Sequence, residues 1–428
     1  MTTEPTRAIA RAARGGAAAP ADRARHSWAR QAVLALAALT AAAAAAAAAL
    51  AWTGTASAQT ATITVAANGS DANPGTVAAP LKTIQAAVDK ATPGTVIQIR
   101  GGTYAPGTNV QVNSNGTASA PITMRPYGTE KVIIDGENMP YTPGAVGSSI
   151  PRADRGALHI EGDHWRFERL EIIHGPYGIF ALDSNNNVYD RLITRDNYES
   201  GLHIQGASAN NRIVNLDAYG NRDPRKNGES ADGLAIKEGS GTGNTVIGAR
   251  LWNNADDGFD AWEFLSPIRI EDSVAYGNGY NHWNLPNYSG DGNGFKLGGG
   301  DPDPAANHVV VNSTAWRNSA HGFTDNGNPG SLQVSRSTAW KNGKTGFDFD
   351  ASASKLTANL AVNNAAPVAL GSSTGTGNSW DIKSKWVDAD LANTSTSVIT
   401  GARAADGSIP PTNFLVPRSY PNLGATFA

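Results

Sequence analysis

Four aspartates and one lysine stand out between positions 232 and 296. They lie in Ala-Asp232-Gly, in Ala-Asp256-Asp257-Gly-Phe-Asp260 and in Gly-Asn-Gly-Phe-Lys296-Leu-Gly-Gly. A group of carboxylates invites a hard cation, because all-oxygen ligation selects Ca²⁺ or Mg²⁺ over softer metals. A lysine beside such a group can serve as a general base if it can shed its proton. Any one Asp-Gly reads equally well as a turn, so the five residues gain a common purpose only if the fold brings them together.

The chain supplies a period that could do so. A Gly-apolar-x-apolar unit recurs at Gly178, Gly201, Gly233, Gly258, Gly294, Gly322 and Gly346, with steps of 23, 32, 25, 36, 28 and 24 residues. The short steps give the base period and the long ones carry insertions. Each unit holds a second strand-like run, such as Ile213-Val-Asn-Leu or Ile268-Arg-Ile-Glu. A third short run ends in asparagine, as in Leu251-Trp-Asn-Asn254 and Thr314-Ala-Trp-Arg-Asn318. Three short strands per coil with a turn asparagine predict an all-β, right-handed parallel β-helix. Asparagine suits the turn because it tolerates the left-handed conformation and its amide can bond the same amide one coil away. Leucine-rich spacing and propeller-length blades are both missing. Leu81 to Ala91 reads as an amphipathic helix with Leu81, Ile84, Ala87 and Val88 on one face, placed to cap the open end. After Ala365 the repeat fades, and no second domain or linker is evident.

Strand alternation assigns the faces. One residue after each repeat glycine stand Ile179, Leu202, Leu234, Phe259, Phe295, Phe323 and Phe347, a core column. Two residues after it stand Phe180, His203, Ala235, Asp260, Lys296 and Thr324, which therefore point outward, as do Gln205, Lys237 and Trp262 at the fourth position. Asp260 and Lys296 thus share an outward column on consecutive coils, about 4.8 Å apart. Asp232 and Asp257 share the position before the glycine, and Asp256 adjoins Asp257. Four carboxylates at that range raise one another's pKa unless a cation intervenes. In an extracellular protein with so many protein ligands, Ca²⁺ is expected over Mg²⁺, which keeps its waters.

Insertions follow Asn221 and Asn278 and are expected to wall a groove at the same edge. Arg222, Arg225, Lys226 and Lys237 are candidates to meet substrate carboxylates, and Trp262, Tyr280, Trp283 and Tyr288 to stack on sugar rings. Residues 1–58 carry an Ala/Leu run ending in Ala56-Ser57-Ala58, an A-x-A cleavage pattern, so they are expected to be a signal peptide cut before Gln59, with a membrane anchor as the alternative. Residues 59–428 then form a single secreted domain, expected to act as a monomer away from membranes. Six of the 34 basic residues and two of the 37 acidic ones lie in that leader, so the remainder is acidic, with 28 basic against 35 acidic residues. An acidic surface argues against nucleic acid as partner. The lack of cysteine excludes thiolate metal sites and thiol nucleophiles.

The Asp232, Asp256-Asp257-Gly-Phe-Asp260 and Gly-Phe-Lys296-Leu-Gly-Gly set on this repeat resembles polysaccharide lyase family 9, pectate lyases built on a right-handed β-helix. The likeness spans roughly residues 60 to 425, with no departure within the motif. It implies that Asp232, Asp256, Asp257 and Asp260 hold a catalytic Ca²⁺, that Lys296 abstracts a proton, and that the substrate is an acidic polysaccharide, polygalacturonate or pectin. Two other readings remain open: a polygalacturonase-like hydrolase, which needs a pair of carboxylates but no lysine, and a non-catalytic glycan-binding solenoid.

Overall fold

Successive repeats pair in parallel and in register. In the computed structural model, which describes residues 61–427, each coil contributes three short strands to three parallel sheets. One sheet has 12 strands, from Thr62–Val65 to Thr374–Thr376, and the other two have 10 each. The expected leader, residues 1–58, lies outside the described residues. Among the described residues no helix is long and apolar enough to cross a membrane.

The core column forms as the alternation predicts. Leu234 pairs with Phe259, Phe259 with Phe295, Phe295 with Phe323 and Phe323 with Phe347. All five are fully buried. The rings of Phe295, Phe323 and Phe347 stack with centroids 4.9 and 5.0 Å apart. Each such side chain contributes about 1.5–3 kcal/mol by leaving water. Identical residues on neighbouring coils also resist slippage, because a one-residue slip would turn the column outward.

The turn asparagines form a ladder along the solenoid. Amide Nδ2 donates to Oδ1 of the next coil from Asn197 to Asn221 (2.9 Å), Asn221 to Asn254 (2.8 Å), Asn254 to Asn278 (3.0 Å), Asn278 to Asn318 (2.9 Å), Asn318 to Asn342 (3.0 Å) and Asn342 to Asn364 (2.9 Å). The bonding between coils is as expected. The left-handed backbone is not at these residues but one position earlier, at Asp196, Gly220, Asn253, Gly277, Arg317 and Lys341. That residue turns the chain, and the ladder asparagine then points inward and satisfies buried polar groups.

Both ends depart from the sequence reading. The helix is shorter than 81–91 and spans Ile84–Asp89, with the Thr83 side chain accepting from Ala86 N. Leu81 instead bridges to Val65 as strand. Ile84, Ala87 and Val88 are buried in the core, as the amphipathic pattern requires. The repeat does not stop at Ala365, since Ala366–Ala369 and Thr374–Thr376 add further strands. Their sequences lack the apolar alternation, and the strands are held by pairing to the coil before them. The irregular chain beyond packs Trp386, Leu391, Ile399, Phe414 and Phe427 against Trp316, Trp340, Leu360 and Val362.

Asn318→Ala removes an acceptor that serves both the main-chain N–H and the side chain of Asn278. Leaving those donors unpaired should destabilise the protein by about 2–3 kcal/mol, read as a lower midpoint in urea unfolding at unchanged m-value.

Candidate active site

The 10-stranded sheet that carries the repeat glycines also carries the site. Leu234–Ser240, Phe259–Asp260 and Phe295–Lys296 are consecutive strands in it. Ala235 is opposite Asp260, and Asp260 is opposite Lys296, as the outward column predicts. Pointing away from the core does not mean exposure here. Asp232 and Asp257 are fully buried, Asp256 and Asp260 are each 1% exposed, and Lys296 is 8% exposed.

Each of the four aspartates is fixed the same way. One carboxylate oxygen accepts a main-chain N–H. Asp232 Oδ1 takes Asp257 N (3.3 Å), Asp257 Oδ1 takes Asn293 N (2.6 Å), Asp256 Oδ1 takes Asp291 N (2.6 Å) and Asp260 Oδ1 takes Trp262 N (3.0 Å). Three of these donors sit on the next coil or its insertion, so stacking itself orients the carboxylates. One oxygen of Asp232, Asp257 and Asp260 lies within 4.8 Å of the others. Asp256 joins a second group, with Asp257 and Asp291. The four aspartates therefore meet through Asp257 rather than in one ring. Asp257 Oδ2 is buried with no hydrogen-bond partner.

Two lysines answer this charge. Lys296 Nζ donates to Asp291 Oδ2 (2.7 Å) and lies 3.4 Å from Asp257 Oδ2. Lys237 Nζ donates to Asp232 Oδ2 (2.9 Å) and Asp260 Oδ2 (2.8 Å). With all four buried carboxylates ionised, the two ammonium groups would leave two negative charges uncompensated. A divalent cation matches that excess. The oxygen-only donor set, and an Asp257 Oδ2 that accepts no hydrogen bond, fit such an ion, which Asp232, Asp257 and Asp260 could hold together.

Protonation follows the same balance. Burial, with like charges nearby, pushes Asp232 up to about 6 and Asp257 up to about 8. Burial and the adjoining Asp257 raise Asp256 well above the usual carboxylate range. Burial would raise Asp260 too, but Lys237 and Lys296 outweigh it and hold Asp260 below that range. Burial alone would lower Lys296, yet Asp260, Asp257, Asp256 and Asp291 outweigh burial and push it above the ordinary lysine range.

The insertions build a wall beside the cluster, though several residues in them serve differently from expectation. Arg225 is buried and pairs with Glu199, and it donates to Ser148 O (3.0 Å). Its charge is committed to the chain's own carboxylate, so it is not available to a substrate. Lys237 is likewise spent on Asp232 and Asp260. Arg222 lies over the Tyr198 ring, 4.5 Å from its centroid. The Tyr288 hydroxyl donates to the Ala255 carbonyl on the coil of Asp256, and Ser289 N donates to Asn227 O (3.0 Å), which ties the two insertions together. Trp262 and Trp283 are half-buried, and Tyr280 is exposed. Past Lys296 a cavity of about 270 Å³ borders Asp291, Asn293, His321, Thr324, Lys344 and Asp348. The sequence reading missed Asp291 and the bridging place of Lys237. Asp291 stands five residues before Lys296, inside an insertion whose path no periodicity describes. Lys237 sat in the outward fourth position, which showed its direction but not its partners.

A carboxyl group raised in the folded state holds a proton that the unfolded chain releases near pH 3.9. Stability is therefore lost as pH rises from about 4 through the folded values of about 6 and 8. In chelator, the melting temperature should fall between pH 5 and pH 8, and Asp257→Asn should flatten that fall. A melting temperature independent of pH in that window would contradict the buried charge excess.

In sequence and fold the chain is similar to known pectate lyases. The family description "Pel9A-like, right handed beta helix region" matches residues 63–364. The chain is 49% identical over 383 residues to pectate lyase PEL9 of Emericella nidulans, covering 85% of this chain and 93% of that protein. It is 32% identical over 359 residues to pectate lyase L of Dickeya dadantii, with 82% of each covered. Among solved structures, pectate lyase Pel9A superposes with a TM-score of 0.73 at 31% identity, covering 84% of this chain and 89% of that one. A rhamnogalacturonan lyase gives the same TM-score at 23% identity, covering 85% of this chain and 99% of that one, a likeness of fold alone.

Proposed function

Since the chain belongs to the Pel9A-like right-handed β-helix family, polysaccharide lyase family 9, and is a pectate lyase, we propose that it cleaves α-1,4-linked polygalacturonate by cation-dependent β-elimination. In this reading Lys296 is the base and the product is a 4,5-unsaturated oligogalacturonide. Asp232, Asp256, Asp257 and Asp260 are the Ca²⁺ ligands. The observation that carries it is the pairing of Asp260 with Lys296 on adjacent strands, with the buried Asp257 Oδ2, which accepts no hydrogen bond, 3.4 Å from Lys296 Nζ. The leader directs secretion, and the mature chain acts as a monomer.

The proton on C5 of a galacturonate residue lies α to a carboxylate, and its removal builds negative charge on that group. Bound Ca²⁺ would supply Lewis-acid stabilisation of that charge. Lys296 takes the C5 proton at Nζ, and the electron pair moves to form the C4–C5 double bond as the bond from C4 to the leaving oxygen breaks. Nζ must be neutral to do this. Four carboxylates oppose that state in the protein alone. Once those charges are neutralised, burial remains, and burial favours the neutral amine. Asp291 Oδ2, 2.7 Å from Nζ, fixes the ammonium in position. Arg222, Trp262, Tyr280 and Trp283 remain candidates for sugar contacts.

Elimination leaves a conjugated double bond that absorbs in the ultraviolet, and hydrolysis does not. Incubation with polygalacturonate should produce that absorbance with Ca²⁺ and lose it with chelator, with the rate rising into the alkaline range. Reducing ends released without ultraviolet absorbance would instead support a hydrolase. Lys296→Ala should keep the fold and lower turnover by about 10²–10⁴-fold or more, the usual range for losing a general base. Near-normal turnover in that variant would remove Lys296 from the role.

A further inference from the structure

Lys237 has no part in the reaction proposed above, yet its ammonium occupies the centre of the site. It reaches across one coil from the strand Leu234–Ser240, and it is buried. The oxygens it holds are Asp232 Oδ2 and Asp260 Oδ2, at 2.9 and 2.8 Å. These are the two oxygens left free when main-chain N–H groups engage Oδ1 of each residue. Asp232 Oδ2 has one other neighbour, the Ser200 hydroxyl at 3.2 Å. An ion drawing on Asp232 and Asp260 through these oxygens must therefore take them from the ammonium or share them with it. Sharing places three positive charges within a few ångströms in a site closed to water, where like charges repel strongly.

We propose that Lys237 is a built-in counter-cation: it holds the carboxylates together while no metal is bound, and it yields Asp232 and Asp260 when a divalent cation enters. This rests on the reading of the four aspartates as a cation site. It makes the affinity of that site a compromise, since the ion gains the carboxylates only by displacing an ion pair already formed. The second lysine of the site, Lys296, pairs with Asp257 and Asp291 and leaves Asp232 to Lys237. Among the described residues, Lys237 is the basic side chain paired with these two oxygens. Gln205, the matching position one coil earlier, is uncharged.

Lys237→Met keeps the length of the side chain and removes its charge. Calorimetric titration with Ca²⁺ should show binding to the variant at least tenfold tighter than to the unaltered chain. The variant's melting temperature in chelator should fall, so that the shift on adding Ca²⁺ widens. Equal or weaker binding by a variant that still melts cooperatively would overturn the proposal and make Lys237 a fixed bridge that orients the ligands. No Ca²⁺ binding by the unaltered chain would overturn the cation reading itself. A second measurement needs no variant: amine labelling of the unaltered protein, read by mass spectrometry. Labelling of Lys237 should rise when Ca²⁺ is added as the ammonium is released, and unchanged or lower labelling would also overturn the displacement.

Discussion

A buried excess of negative charge governs this molecule. Asp232, Asp256, Asp257 and Asp260 are gathered around Asp257 and out of water, and if all were ionised two lysines would offset only half of their charge. Isolated carboxylates would avoid such a place, because burial strongly disfavours the ionised form. They stay because the scaffold offers them little freedom to leave. Each gives one oxygen to a main-chain N–H that is itself held by the coil.

That rigidity comes from repetition. The phenylalanine stack and the asparagine ladder fill the interior with the same contact coil after coil. A parallel strand spacing of about 4.8 Å is close to the reach of a carboxylate or an ammonium toward its neighbour. A solenoid of this kind thus converts a spacing of one period along the chain into a contact in space. The insertions can vary in length without disturbing it, since they leave the coil and return at the same register. Here they also brace one another through Ser289 and Asn227, and through Tyr288 against Ala255.

The charge balance also separates two tasks that look alike in sequence. Lys237 and Lys296 are both outward-facing lysines on the same sheet, and both are buried by their surroundings. Lys237 sits between two carboxylate oxygens on adjoining coils, with its charge satisfied from both sides. Lys296 has one firm partner on an exposed loop residue, Asp291, and a looser one on Asp257. A group held by a solvent-facing partner can meet a substrate as that partner moves, whereas a group locked between two buried partners cannot without letting go.

Much of this was legible in the sequence. The repeat glycines, the apolar column beside them and the terminal asparagines determined a parallel β-helix, because strand alternation and coil period leave few ways to bury those residues. The same register placed Asp260 against Lys296. What the sequence could not decide was anything that depends on a side chain's partner rather than its direction. Lys237 and Arg225 were readable as outward or loop cations, but only the packed structure shows their charges spent on Asp232, Asp260 and Glu199. The grouping of Asp256 with Asp291, and the left-handed residue that precedes each ladder asparagine, were hidden for the same reason. Period and polarity are local properties of a chain, whereas charge compensation and turn geometry are settled only when distant segments meet.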